Sequence, residues 1–157
     1  MDYLLSGALG ALIAFVFSIP AIVLEYTTDG TAEETPLVID VKSIFGIKLR
    51  RTEVFLVGLL IHILIGFLFG LVYVVFVQQG WLFVTSDPYS FPSLFVYAIL
   101  SWVMVNVVIY PLLGMGLFAQ KEGPTVWLET LVAHLLLGSA LWLLVQYYQP
   151  SFFMPTL

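Results

Sequence analysis

The chain has 157 residues, of which 61% are hydrophobic and 10% charged, and its formal net charge is −5. Its mean hydropathy of +1.07 is far above that of a soluble domain. This composition indicates an integral membrane protein, and the acidic balance excludes nucleic-acid binding. Because the chain has no cysteine, disulfides, thiolate metal sites and thiol nucleophiles are excluded as well.

Four apolar segments are long enough to cross a bilayer, since a spanning helix needs roughly 20 residues. The short connections between them leave no room for a second domain. We therefore predict an all-α fold for residues 1–157, a single four-helix transmembrane bundle. The predicted spans are Tyr3–Leu24, Val54–Val77, Ser93–Ala119 and Val126–Tyr147.

The basic residues predict how these spans are oriented. All five fall in the first and third connections, and the second connection and both terminal segments have none. By the positive-inside rule, these two connections are expected in the cytoplasm and both termini outside a prokaryotic plasma membrane. The five residues are Lys42, Lys48, Arg50, Arg51 and Lys121.

The first span carries Gly10, Ala14 and Ser18 at four-residue spacing. Such a strip of small residues is typical of close helix packing in lipid. Pro20 removes a backbone donor and is expected to kink the helix near its end. In the connection that follows, residues 37–51 predict either a short interfacial helix or a small hairpin on the cytoplasmic leaflet.

A ladder of glycines marks the second span. Gly58, His62, Gly66 and Gly70 recur every four residues and lie along one side of a helix. This side is expected to let another backbone approach closely. His62 is the only ionisable residue within the predicted span, so it is expected to face the protein interior.

The third and fourth spans add a few polar residues. Asn106 lies near the middle of the membrane and needs a partner on another helix. Pro111 is followed by glycines and is expected to loosen the end of its span. Glu129 lies less than a turn inside the fourth span, where it either favours the positive helix end or serves in proton coupling.

The fourth span repeats features of the second. A shift of 72 residues places His62 on His134 and Gly66 on Gly138. The first and third spans match more loosely around their prolines. The pattern predicts a tandem repeat of a two-helix hairpin, related by an axis along the membrane normal.

The two histidines lie at the same depth, on the order of 12 Å below the cytoplasmic boundary at 1.5 Å per residue. If the second and fourth spans face each other, His62 and His134 can serve as the axial ligands of a b-type haem. Gly66 and Gly138, one turn from each histidine, would then make room for the porphyrin. Two imidazoles lack the further ligands that zinc needs, so no metal-ion site is predicted.

Two other roles for the histidines remain open. Each imidazole can hydrogen-bond Asn106, Ser101 or a carbonyl freed by Pro111, as packed membrane helices often do. Alternatively, the pair can relay a proton or a ligand. The sequence has no phosphate loop, no nucleophile elbow and no HExxH motif, and we therefore do not predict an enzyme.

Three motifs in turn carry a resemblance to a known group of proteins. They are His62-xxx-Gly66-xxx-Gly70-xx-Tyr73, then Tyr110-Pro111-Leu112-Leu113-Gly114-Met115-Gly116, and then His134-xxx-Gly138. With them the chain resembles the YagU-like small four-span bacterial membrane proteins. That resemblance implies a four-helix membrane fold and supplies no catalytic residues. The histidines within spans also look like those of haem-bearing membrane anchors of respiratory complexes.

Three functions follow as expectations. The first is a structural, assembly or accessory role in a membrane complex, in contact with other subunits or with further copies through the small-residue faces. The second is a b-type cytochrome or redox anchor with His62 and His134 as ligands. The third is a small transporter or channel that uses Pro20, Pro111 and Glu129.

Overall fold

The computed structural model describes residues 3–28, 38, 41–81 and 89–148. Four of its helical segments are long and apolar enough to cross a membrane. This confirms the predicted all-α four-helix bundle and the assignment as an integral membrane protein. The elements are α1 (Tyr3–Thr27), β1 (Ser43–Ile44), β2 (Ile47–Lys48), α2 (Arg51–Gln79), α3 (Phe91–Met104), a π-helical turn (Val105–Ile109), α4 (Tyr110–Leu112), a 3₁₀ turn (Leu117–Ala119) and α5 (Val126–Tyr148).

Helices α1 and α2 pack backbone to backbone along their small residues. A Cβ atom added to Gly66 would lie 2.5 Å from the Cβ of Ala14 and 2.7 Å from the carbonyl oxygen of Gly10. One turn further along α2, the hydroxyl of Ser6 donates to the carbonyl of Gly70 at 2.7 Å. Both small-residue strips predicted from the sequence are therefore used in one helix pair.

Helices α3 and α5 form the second close pair. A Cβ atom on Gly138 would lie 3.0 Å from the Cβ of Ala98 and 3.4 Å from the carbonyl oxygen of Leu94. Gly138 therefore packs on the first helix of its hairpin, as Gly66 does in the other hairpin. This correspondence agrees with the predicted two-helix repeat.

Aromatic side chains fill the space between the two hairpins. The Tyr97 ring of α3 lies across the Phe69 and Tyr73 rings of α2, with centroid separations of 4.7 Å and 5.1 Å. Its hydroxyl donates to the carbonyl of Phe69 at 2.7 Å, so the buried phenol is satisfied. Leu137 and Leu141 of α5 complete this part of the core.

The third span ends earlier than predicted, at Leu112 instead of Ala119. Pro111 has no N–H to donate, and the preceding residues form a π-helical turn in which the N–H of Tyr110 bonds the carbonyl of Val105. Gly114 and Gly116 then adopt positive φ angles of 87° and 81°, which end the helix. The other predicted span boundaries agree with the structure to within three residues.

The connection before α2 contains a small hairpin, which decides between the two alternatives expected there. Ser43 pairs with Lys48, and Ile44 with Ile47. The hairpin rests on the segment between α4 and α5, where the N–H of Phe45 donates to the carbonyl of Leu113 at 2.8 Å. The first and third connections therefore lie at the same end of the bundle.

Candidate functional site

His134 is held in one orientation by its own helix. Its Nδ1 lies 2.7 Å from the carbonyl oxygen of Thr130, four residues earlier on α5. Because a carbonyl only accepts, Nδ1 carries the hydrogen and Nε2 keeps a lone pair. The side chain is only 4% exposed, and its Nε2 is buried without a hydrogen-bond partner.

His62 is placed similarly on α2, one turn before Gly66. Ala14 of α1 lines the same cavity as His62. The Nε2 atom of His62 is also buried and has no partner. Among the described residues, the buried side-chain nitrogen and oxygen atoms without a hydrogen-bond partner are His62 Nε2, His134 Nε2 and Asn106 Oδ1.

The two histidines line one cavity. The structure thus brings both predicted residues to one cavity. A shared function for the pair stays a prediction. The cavity has a volume of about 30 Å³, which is room for one or two water molecules. Its other polar lining residues are Tyr110 and Thr130, and the rest of its wall is mostly aliphatic.

The glycines expected to make room for a porphyrin are already in contact with other helices. The space beside Gly66 is taken by Ala14, and the space beside Gly138 by Ala98. A porphyrin beside these glycines would therefore require α2 to move away from α1, or α5 away from α3. Haem binding stays a prediction, and within the described part of the chain no group of three or more metal-ligating side chains is found.

A polar network beside His134 is centred on Thr130, which the sequence did not single out. The Thr130 hydroxyl accepts from Trp102 Nε1 at 3.1 Å and from Asn106 Nδ2 at 3.5 Å. It donates to the carbonyl of Trp127 at 3.0 Å. Since the Thr130 carbonyl also binds His134, this residue links the histidine to α3. Its place four residues before His134 is the sequence signal that would have found it.

Asn106 is fully buried, in keeping with its predicted place in the polar core, but it does not bind a histidine. Its Nδ2 donates to the carbonyl of Trp102 at 2.9 Å, in addition to the weaker bond with Thr130. His134 instead bonds the backbone carbonyl of Thr130, on its own helix. The expected partners Asn106, Ser101 and the turn before Pro111 are thus not the ones observed.

Glu129 lies at the start of α5, away from the cavity. Its carboxylate accepts from the hydroxyl of Thr125 at 2.7 Å on an exposed part of the helix. An acidic side chain in the first turn interacts favourably with the positive helix end. The geometry therefore gives Glu129 a helix-end role and does not place it in the polar core.

Comparison with known proteins found no matching family, no similar curated protein and no similar solved structure. The resemblance to YagU-like proteins therefore stays a prediction. Function has to be argued from the surfaces and the buried polar groups of this chain.

Proposed function

We propose that this protein is a small integral membrane protein with a structural, assembly or accessory role in a membrane complex. The observation that supports this role is an apolar groove between α2 and α3, with a volume of about 450 Å³. It lies within two membrane spans and extends along α2 from Ile65 to Phe76. That distance is about 17 Å, or three turns of helix.

The groove follows from the packing of the bundle. Small residues bring α1 onto α2 and α3 onto α5, whereas the Phe69 and Tyr97 rings separate α2 from α3. These rings lie at the inner side of the groove, and Leu68, Val103 and Val107 are among the exposed residues of its walls. The result is a concave apolar surface between α2 and α3.

We infer that the groove receives a transmembrane helix of a partner subunit. Helices associate in lipid through close packing, because lipid tails are as apolar as the side chains they would leave. A concave surface three turns long offers a helix far more packing contact than a convex surface does. A second copy of this chain and a lipid acyl chain are the other possible occupants, and the experiment separates them.

The absence of cysteine makes crosslinking from single positions direct. Leu68→Cys and Val103→Cys place a thiol in the groove, and Leu60→Cys is the matched control because Leu60 is exposed on α2 but does not line the groove. A short thiol-reactive photo-crosslinker is activated in native membranes. We expect a heterologous protein adduct from both groove positions and none from the control.

The masses of the adducts decide between the occupants. An adduct of twice the chain mass identifies a second copy and contradicts a partner subunit. Lipid adducts alone, with no protein adduct, would remove the support for an accessory role. The proposal requires a discrete heterologous mass that is shared by the two groove positions.

We also propose that the end of the bundle formed by the first and third connections faces the cytoplasm of a prokaryotic cell. Lys42, Lys48, Arg50 and Lys121 all belong to these connections. The positive-inside rule then puts both termini outside.

A small transporter or proton relay is the second candidate function, and one observation favours it. The unpartnered Nε2 atoms of His62 and His134 line the same cavity inside the membrane. Proton flux into proteoliposomes, measured for the wild type and for His62→Gln, tests this role. Flux that is equal in the two preparations would exclude a relay through His62.

A further inference from the structure

We propose that His62 and His134 form a two-ligand site for a monovalent copper ion, with the Nε2 atom of each ring as a ligand. This inference goes beyond the accessory role and does not depend on it. It starts from the two buried nitrogen atoms that lack a partner and line one cavity. Buried polar groups without partners are rare in folded proteins. Two such nitrogen atoms beside one cavity therefore indicate that one ligand binds both.

The ring of His134 has the orientation of a metal ligand. A metal-bound histidine nearly always donates its other ring N–H to a carbonyl, a carboxylate or water, which fixes the tautomer. His134 donates from Nδ1 to the carbonyl of Thr130 at 2.7 Å. The Nε2 atom of His62 is likewise buried without a partner, and His62 lines the same cavity. The Nε2 lone pair of His134 is thus available to a guest there, beside the unpartnered Nε2 of His62.

The size of the cavity limits the guest to a bare ion or one or two water molecules. Its volume is about 30 Å³. The number of ligands then limits the kind of ion. Zinc normally takes four ligands, and the described residues contain no third histidine, cysteine, aspartate or glutamate to join the pair. A d¹⁰ monovalent copper ion is stable with two nitrogen ligands in a line, and imidazole is a suitable ligand for copper.

The charge of the surroundings favours a monovalent ion. Among the described residues no carboxylate lines the cavity, and the two acidic residues near the start of α5 have other partners: Glu122 bonds Lys42, and Glu129 bonds Thr125. A divalent ion would therefore bring two uncompensated charges into an apolar region. The cost of burying an ion rises steeply with its charge, so one charge is far less costly than two.

Metal titration of the purified full-length protein tests the site. Metal-free protein in detergent is titrated anaerobically with Cu(I) in competition with a chromogenic Cu(I) chelator, and separately with Zn(II). We expect one Cu(I) per chain and at least tenfold weaker binding in His62→Gln and in His134→Gln. Met115→Leu is the matched control, because it removes a buried thioether outside the cavity and nearly conserves side-chain volume. It should bind Cu(I) like the wild type.

X-ray absorption at the copper edge of the loaded wild type provides a test that does not depend on the folding of any variant. Two nitrogen ligands in a linear arrangement are expected. Binding that survives in the His62→Gln, His134→Gln double variant would overturn the proposal, and so would sulfur ligands in the absorption spectrum. Wild-type protein that takes up no Cu(I) would also overturn it and would leave an ordered water as the guest.

Discussion

Lys42 and Glu122 bind each other twice across the first and third connections. The backbone N–H of Lys42 donates to the Glu122 carboxylate at 2.6 Å, and the Lys42 ammonium donates to the Glu122 carbonyl at 2.7 Å. Glu122 is only 4% exposed although it carries a charge. Hydrogen bonds to a charged group are stronger than neutral ones, so this pair fastens the hairpin to the segment before α5.

Replacing Glu122 with alanine should loosen the hairpin. The change removes the acceptor for the Lys42 N–H, and we expect a loss of roughly 1–3 kcal/mol in the free energy of unfolding. Hydrogen exchange should accelerate in residues 42–48 and stay unchanged in α3. Glu129→Ala is the control, since it removes a carboxylate bonded only on an exposed part of α5. Equal hydrogen-exchange rates in the hairpin of the two variants would contradict the conclusion that Glu122 holds the hairpin in place.

The contact between α1 and α2 leads to a second prediction. A Cβ atom on Gly70 would overlap the carbonyl oxygen of Ser6, which is backbone and has little freedom to move. Gly70→Ala should therefore destabilise the protein by about 1–3 kcal/mol. A loss of stability would be informative, because without packing contacts alanine stabilises a helix by about 1 kcal/mol relative to glycine.

Thermal unfolding in detergent measures this effect. Gly123→Ala is the matched control, because its Cβ would meet only the side chain of Val126, at 3.3 Å. We expect a lower melting temperature for Gly70→Ala than for Gly123→Ala. A Gly70→Ala variant as stable as the wild type would show that the two backbones can separate without loss.

The sequence predicted the spans and the packing strips because both depend on local spacing. The length of an apolar run shows directly whether it can cross the membrane. The four-residue spacing of Gly10 and Ala14, and of Gly66 and Gly70, shows that each pair lies on one face of its helix. The common cavity of His62 and His134 was also within reach of the sequence, since equal depth on two helices follows from counting residues.

Other features of the site could not be predicted, because they depend on which helices pack against each other. A glycine leaves a space, but the sequence does not say which residue fills it. The space beside Gly66, where a porphyrin was expected, is filled by Ala14, and the space beside Gly138 is filled by Ala98. Thr130 was missed because a threonine in a helix usually bonds its own backbone. Its contacts with Trp102 and Asn106 arise only when α3 lies against α5.

Thr130→Val tests the polar network without changing the shape of the side chain. The variant keeps the backbone carbonyl that holds His134 but removes the hydroxyl that Trp102 and Asn106 contact. Because Asn106 is buried and loses a partner, we expect a destabilisation of roughly 1–3 kcal/mol. Thr27→Val, at the exposed end of α1, should change stability by only about 0.5 kcal/mol. Unfolding in denaturant compares the two, and equal midpoints would contradict a structural role for the network.

The orientation proposed above makes opposite predictions for two exposed positions. Ile47 is at the tip of the hairpin, and Trp81 follows α2 at the other end of that helix. In intact cells a membrane-impermeant maleimide should label Trp81→Cys and spare Ile47→Cys until the cells are permeabilised. The unmodified chain has no cysteine and serves as the blank. Labelling of Ile47→Cys in intact cells would reverse the orientation.

The absorbance spectrum of the purified protein tests the haem alternative. Because the cavity between His62 and His134 holds about 30 Å³ and Gly66 and Gly138 are already packed, we expect a colourless protein even from haem-replete cells. A Soret band that sharpens on reduction with dithionite would contradict this expectation. If that band disappeared in both His62→Ala and His134→Ala, the two histidines would be the axial ligands. The helices around the cavity would then have to separate to admit the porphyrin, and the copper site would describe only the haem-free form.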